Sequence, residues 1–219
     1  MTENQLNRFF DILVDSIDHV TQPYMTTLYG EMNHVVHLLD YYTKRMLVNN
    51  NNDLQKTGER IFCYELYHQI RKRIELEAGT MFDNVFLQGE LKKHQIEPLI
   101  ERFGLERLTS NFIPDFLLHT PGNADDHPFV IEVKTDINLE HEEIKNDIDK
   151  ISEFITRYHY QRGIFISVNL NLERVTEIIT QGEFMELIPD INETKYNITI
   201  VAKENQLSPA EHILLSELI

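Results

Sequence analysis

Cysteine occurs once in the 219 residues, as Cys63. One thiol excludes a disulfide framework and suits a reducing compartment. No apolar run approaches the roughly 20 residues that span a bilayer, so no membrane partner is expected. The N-terminus, MTENQLNRFFDILVD, has no basic start leading into an apolar stretch, which a secretory signal would need. These absences predict a soluble, cytoplasmic protein. Several motifs are also missing. Without GxGxxG or a Walker phosphate loop, a nucleotide-hydrolysing engine is not expected. Without a GxSxG elbow, serine-hydrolase chemistry has no anchor, and Cys63 falls on an apolar helix face. Without HExxH, and with an isolated cysteine, the ten histidines do not add up to a zinc site.

Basic residues are few: 20 Lys and Arg against 36 Asp and Glu, a net charge of −16. Broad, nonspecific affinity for nucleic acid needs clustered positive charge and is disfavoured. The deficit is uneven. DINLEHEEIKNDID after residue 135 is strongly acidic, whereas the stretch from 56 to 107 holds Lys56, Arg60, Arg71, Lys72, Arg73, Lys92, Lys93, Arg102 and Arg107. A local basic surface therefore stays compatible with the composition.

Hydrophobic content of 42% suffices for one good core with a smaller appendage. Leu6, Phe9, Phe10, Leu13, Val14 and Ile17 recur at helical spacing over 3–20, and Val35, Leu38, Leu39 and Tyr42 over 26–48. The first stripe must be covered, by the second helix or by a partner subunit, which makes a homodimer through these helices an expectation. NNNND at 49–53 is the clearest break, dividing a helical appendage (1–50) from the main domain (54–219). A helix follows, with Thr57 as N-cap and Gly79 as its stop. Then the period changes. Residues 84–93 read as a strand with a bulge at Gly89, 96–104 as a short helix, and 111–120 as a strand. A turn-rich loop, 120–128, precedes the strand FVIEVKT. A helix at 140–160, a strand GIFISVN, a helix at 171–181 and a strand YNITIVAK come next. SPAEHILLSELI is expected to close the chain as a helix, capped by Ser208 with Pro209 at its first position. The order predicts an α/β fold with a helical N-terminal piece.

The chemistry gathers at FVIEVKTD, 129–136. Alternate strand residues share a face, so Val130, Glu132 and Lys134 point opposite to Phe129, Ile131 and Val133. If the strand containing Pro114-Asp115 pairs antiparallel with it, Asp115 lies opposite a residue near 132 or 134. Cross-strand neighbours are about 5 Å apart at Cβ. Two carboxylates and an ammonium then meet on one patch of sheet. Close carboxylates repel, and burying them is costly unless something compensates. Mg²⁺ or Mn²⁺ is the natural compensation, held by one or two carboxylates, water and substrate phosphate. A lysine beside the ion can orient its water and offset growing negative charge.

Pro114-Asp115 followed by Glu132-Val133-Lys134 resembles the PD-(D/E)XK motif of restriction-endonuclease-like nucleases. The order of elements from 57 to 168 resembles theirs as well: helix, strand, PD strand, ExK strand, helix, strand. The resemblance implies a mixed central sheet flanked by helices, and metal-dependent phosphodiester hydrolysis in nucleic acid, with DNA as the expected partner. It also suggests a role in defence against foreign DNA. It assigns metal ligation to Asp115 and Glu132 and catalysis to Asp115, Glu132 and Lys134. Glu59 and Glu65 are both offered as the acid of the preceding helix, with Glu65 chosen, and Glu90 is a further candidate ligand.

Each residue has a plainer reading. Proline is tolerated at a strand start. Glu132 and Lys134 could form a solvated edge, and Glu65 a surface ion pair with Arg60 or Lys72. His119 beside the PD strand fits a hydrogen-bonded structural histidine better than a substrate contact. The competing function is a nuclease-fold protein that has lost catalysis and serves as a binding or assembly subunit.

Overall fold

The computed structural model describes residues 1–25, 51–77, 81–90, 104–120, 126–182 and 184–219. The expected helix at 26–48, the stop at Gly79 and most of the short helix before Gly104 lie outside the described residues. Twelve labelled elements follow in chain order. They are α1 (Glu3–Asp18), α2 (Gln22–Met25), α3 (Asn51–Leu76), β1 (Phe86–Gly89), β2 (Phe116–His119) and β3 (His127–Lys134), then α4 (His141–Tyr158), β4 (Tyr160–Val168), α5 (Leu172–Thr180), α6 (Ile191–Thr194), β5 (Ile198–Lys203) and β6 (Glu211–Leu214).

The strands form one mixed sheet in sequence order, β1 to β6. β1, β2 and β3 run antiparallel to one another, β3, β4 and β5 run parallel, and β6 returns antiparallel to β5. The two parallel steps are made through α4 and α5, as parallel neighbours require a crossover. The chain is thus α/β, with a six-stranded mixed sheet covered by helices on both faces.

Strand alternation sorts the core into two layers. Phe116, Leu118, Phe129, Ile131 and Val133 pack with α1 and with Phe62, Leu66 and Ile70 of α3. Leu117, Val130 and Phe165 pack with Ile144, Ile148, Ile151 and Phe154 of α4 and with Val175 and Ile179 of α5. α4 lies so close to β4 that a Cβ at Gly163 would stand 2.1 Å from Ile151 Cγ2. Only glycine fits there.

Three expectations change. The polar run is helical from Asn51 onward: α3 already includes Asn51, so Thr57 lies inside it and cannot be its N-cap. Asparagine is only mildly unfavourable in a helix. Next, Leu6, Phe9, Leu13 and Ile17 are buried within the chain, with Phe9 4.8 Å from the Phe129 ring. The stripe therefore covers the sheet from within the chain. Last, SPAEHILLSELI is not a helix. β6 pairs Thr199 with Leu214 and Val201 with His212, and Leu215–Glu217 follow as a single 3-10 turn. Without β6, β5 would present an open row of backbone donors and acceptors. Ser208 instead serves a turn, its Oγ accepting from Asn205 N–H at 3.1 Å. Gly89 simply ends β1, and the turn conformation falls on Glu90, with φ +47°. No described helix is long and apolar enough to cross a membrane.

Candidate active site

Asp115 immediately precedes β2, and the pairing of Phe116 with Ile131 carries it alongside Glu132. Its Oδ2 accepts a hydrogen bond from Val133 N–H at 2.7 Å. Leu117 and Val130 lie in the core layer facing α4, so Asp115, Glu132 and Lys134 share that face by alternation. Glu132 is only 2% exposed. It is no solvated edge residue.

Two groups from α4 complete the cluster. Lys150 Nζ donates to Glu132 Oε2 at 2.7 Å and to Asp147 Oδ1 at 3.1 Å. Asp147 Oδ2 lies 3.0 Å from Lys134 Nζ, and Glu59 Oε2 of α3 lies 3.8 Å from the same ammonium. Glu59 comes from the opposite layer and reaches Lys134 at the end of β3, where β2 has not begun. The chain of contacts runs Glu132, Lys150, Asp147, Lys134, Glu59.

The electrostatics follow from burial and crowding. Burial, opposed by Lys134 and reinforced by Asp115, lifts Glu59 to about 7. Burial lifts Asp115 to about 6 against the pull of the Val133 hydrogen bond. Burial, with Asp115 and Asp147 nearby, holds Glu132 well above the usual carboxylate range. Burial would lower both lysines. Asp147 and Glu59 outweigh it at Lys134, and Glu132 and Asp147 at Lys150, so both ammoniums stay charged. Four carboxylates against two ammoniums leave two negative charges uncompensated when all are ionised. Glu132 Oε1 is buried and receives no hydrogen bond.

A cleft of about 290 Å³ opens beside this cluster, lined by Glu59, Arg60, Cys63, Glu90, Ile113 and Asp115. Glu90 N–H donates to Asp115 O at 3.0 Å, which ties the rim to the PD segment. The Glu90 carboxylate, half exposed, instead pairs with Arg60 Nε at 3.2 Å. It stands at the mouth. In a larger cleft of about 420 Å³ between α1 and α3, Arg8 pairs with Glu77 and Arg73 with Asp15.

Glu65 is not in the site. Its carboxylate accepts from Gln69 Nε2 at 2.6 Å, and the acid that α3 brings to the cluster is Glu59. The sequence carries the reason. Cys63, Leu66, Ile70 and Ile74 form the buried stripe of α3, and Glu59 extends it by one turn, whereas Glu65 falls off it. Asp147 was legible by the same test, since it sits within the stripe Ile144, Ile148, Ile151 where a solvated acid has no place. Lys150 follows one turn later on the same helix.

The histidines take structural roles. His119 Nε2 meets Gln88 Oε1, and His127 Nδ1 meets Tyr158 O at 2.7 Å while stacking on Tyr160. Burial pushes the Cys63 thiol up, which makes it a poor nucleophile. Among the described residues, no three His, Cys, Asp or Glu side chains are gathered closely enough to cage an ion unaided. A magnesium-type ion does not need such a cage, because water and substrate phosphate complete its shell. The oxygen donors Asp115 and Glu132, the bare Glu132 Oε1 and the charge deficit fit it. No protein-family model, curated protein or solved structure matches the chain.

Proposed function

We propose that the chain is a metal-dependent nuclease of the PD-(D/E)XK kind, with a restriction-endonuclease-like fold and DNA as its expected substrate. The observation that carries this reading is the meeting of Asp115, Glu132 and Lys134 on one sheet face, with Glu59 joined to Lys134. The order helix, strand, PD strand, ExK strand, helix, parallel strand supports it as well.

In this reading Asp115 and Glu132 hold a Mg²⁺ or Mn²⁺ ion. Bound there, the ion supplies a more acidic water and stabilises charge on a phosphoryl oxygen. Hydrolysis joins a water oxygen to phosphorus and breaks one P–O ester bond. The water loses a proton, and the departing alkoxide gains one. Lys134 is the charged donor at the site, held by Asp147 and Glu59 so that its ammonium orients the water and offsets charge on the phosphate. Glu59, lifted to about 7, is poised to accept a proton near neutral pH. Arg60 at the cleft mouth begins an exposed row on α3, continued by Tyr64, His68 and Lys72 at four-residue spacing. Such a row suits a phosphate backbone and meets the general objection of the acidic net charge.

One observation favours a second reading. Lys150 already compensates Glu132, as a site that no longer binds metal would require. A supercoiled plasmid incubated with Mn²⁺ or Mg²⁺, beside an EDTA control, separates the two. Metal-dependent nicking supports the nuclease. Intact plasmid under both metals, with RNA and single-stranded DNA also untouched, leaves the inactive binding subunit.

A further inference from the structure

Lys150 does not belong to the strand pair that carries Asp115 and Glu132. It arrives from α4, sixteen residues beyond Lys134 in the chain, and its ammonium is 2.7 Å from Glu132 Oε2. Glu132 is almost wholly buried, and a carboxylate so placed needs a counter-charge to remain ionised. Lys150 is the cation that touches it among the described residues. A divalent ion on Glu132 would need the same charge and would stand near the same ammonium. Two cations cannot both be drawn to one buried carboxylate without repelling each other.

We propose that Lys150 is the resident counter-ion of Glu132, that it competes with a divalent cation for this carboxylate, and that Asp147 retains the ammonium when the ion arrives. The inference rests on the reading of Asp115 and Glu132 as metal ligands. Its geometric basis is the double contact of Lys150. The 3.1 Å bond to Asp147 Oδ1 lets the ammonium surrender Glu132 without leaving the site. Asp147 Oδ2 meanwhile keeps Lys134, so both lysines are tied to one acid on one turn of α4. Lys150 acts as a positioning residue. It holds Glu132 aimed before the metal binds, and it sets a threshold on the metal concentration at which the site fills.

A purely structural ion pair would make the same contacts but would not respond to metal in the same way. The test is a calorimetric titration of Mn²⁺ into the wild type, Lys150→Met and Lys150→Arg, with melting curves in metal-free buffer. Lys150→Met should melt lower without metal yet bind Mn²⁺ roughly tenfold more tightly or better, and Mn²⁺ should raise its melting temperature more than that of the wild type. Lys150→Arg should restore wild-type affinity. If Lys150→Met is folded and binds Mn²⁺ no more tightly than the wild type, the inference fails while the metal reading stands. If neither protein binds Mn²⁺, both fail. Should Lys150→Met not fold, the Lys150 Nζ resonance of the wild type is followed by NMR during a Mg²⁺ titration. A saturable shift with faster proton exchange is expected. An unmoved resonance in a protein that binds Mg²⁺ overturns the inference.

Discussion

Asp115 Oδ2 accepts a hydrogen bond from the backbone N–H of Val133, 2.7 Å away on the neighbouring strand. One carboxylate oxygen is thereby fixed against the strand that carries Glu132 and Lys134. The contact ties the PD segment to the ExK segment through geometry, whatever the side chains around them do. It also means that replacing Asp115 has two effects, one electrostatic and one on strand alignment.

Asp115→Asn is therefore more informative than Asp115→Ala. Asparagine keeps an oxygen that can accept from Val133 N–H and removes the charge. The variant should fold and melt at least as high as the wild type without metal, because the carboxylate is crowded and buried. It should lose the rise in melting temperature that Mn²⁺ gives the wild type. A Mn²⁺ response equal to the wild type would remove Asp115 from the ligand set.

Lys134→Ala should divide binding from turnover. Lysine is not a metal ligand, so the Mn²⁺-induced rise in melting temperature should survive. Cleavage should fall by roughly a hundredfold or more, the usual loss when a donor to developing charge is removed. Equal loss of binding and cleavage would mean that Lys134 mainly supports the acidic cluster.

The pH response follows from the acids. Glu59 stands at about 7 against an ordinary 4.5, and Asp115 at about 6 against 3.8. A carboxyl whose pKa is raised on folding favours the folded state while it holds its proton. That contribution is complete below the ordinary value and is lost as pH rises through about 6 and about 7. Metal-free protein should accordingly lose melting temperature over this interval, and Glu59→Gln should flatten the upper part of the fall. Mn²⁺ competes with these protons, so its stabilising effect should grow over the same range. A Glu59→Gln profile parallel to the wild type would show that Glu59 does not titrate there.

Gly163→Ala tests the packing that places α4. The added methyl would stand 2.1 Å from Ile151 Cγ2, so helix and strand must separate. Denaturant unfolding should show a loss of about 1–3 kcal/mol. The shift should also weaken the contacts that Asp147 and Lys150 make from α4. An unchanged midpoint would mean that Ile151 turns aside freely.

Strands β1 to β5 were readable in the sequence, and in β3 the alternation is clean: Phe129, Ile131 and Val133 do enter one layer, and Val130 the other. The placement of Asp115 beside Glu132 followed from the same period of two. Glu65 stands one turn from Ile61 and from Gln69, a spacing that could face the sheet, but the buried stripe of α3 runs through Cys63, Leu66 and Ile70, and Glu59 lies on its extension. Asp147 and Lys150 went unseen in an acidic stretch that looks solvated, although Asp147 lies in the apolar stripe. β6 could not be read from local pattern alone. HILLSEL is apolar enough for a helix, and what decides against one is the open edge of β5, a tertiary fact.

The most direct test is the rate of Mn²⁺-dependent plasmid cleavage by the wild type, Glu59→Gln, Asp115→Asn, Lys134→Ala and Glu65→Gln, measured side by side. The account predicts that the first three substitutions each reduce the rate by roughly a hundredfold or more, whereas Glu65→Gln stays close to the wild type. Cleavage that survives Asp115→Asn and Lys134→Ala unchanged, or no cleavage by the wild type itself, would contradict it.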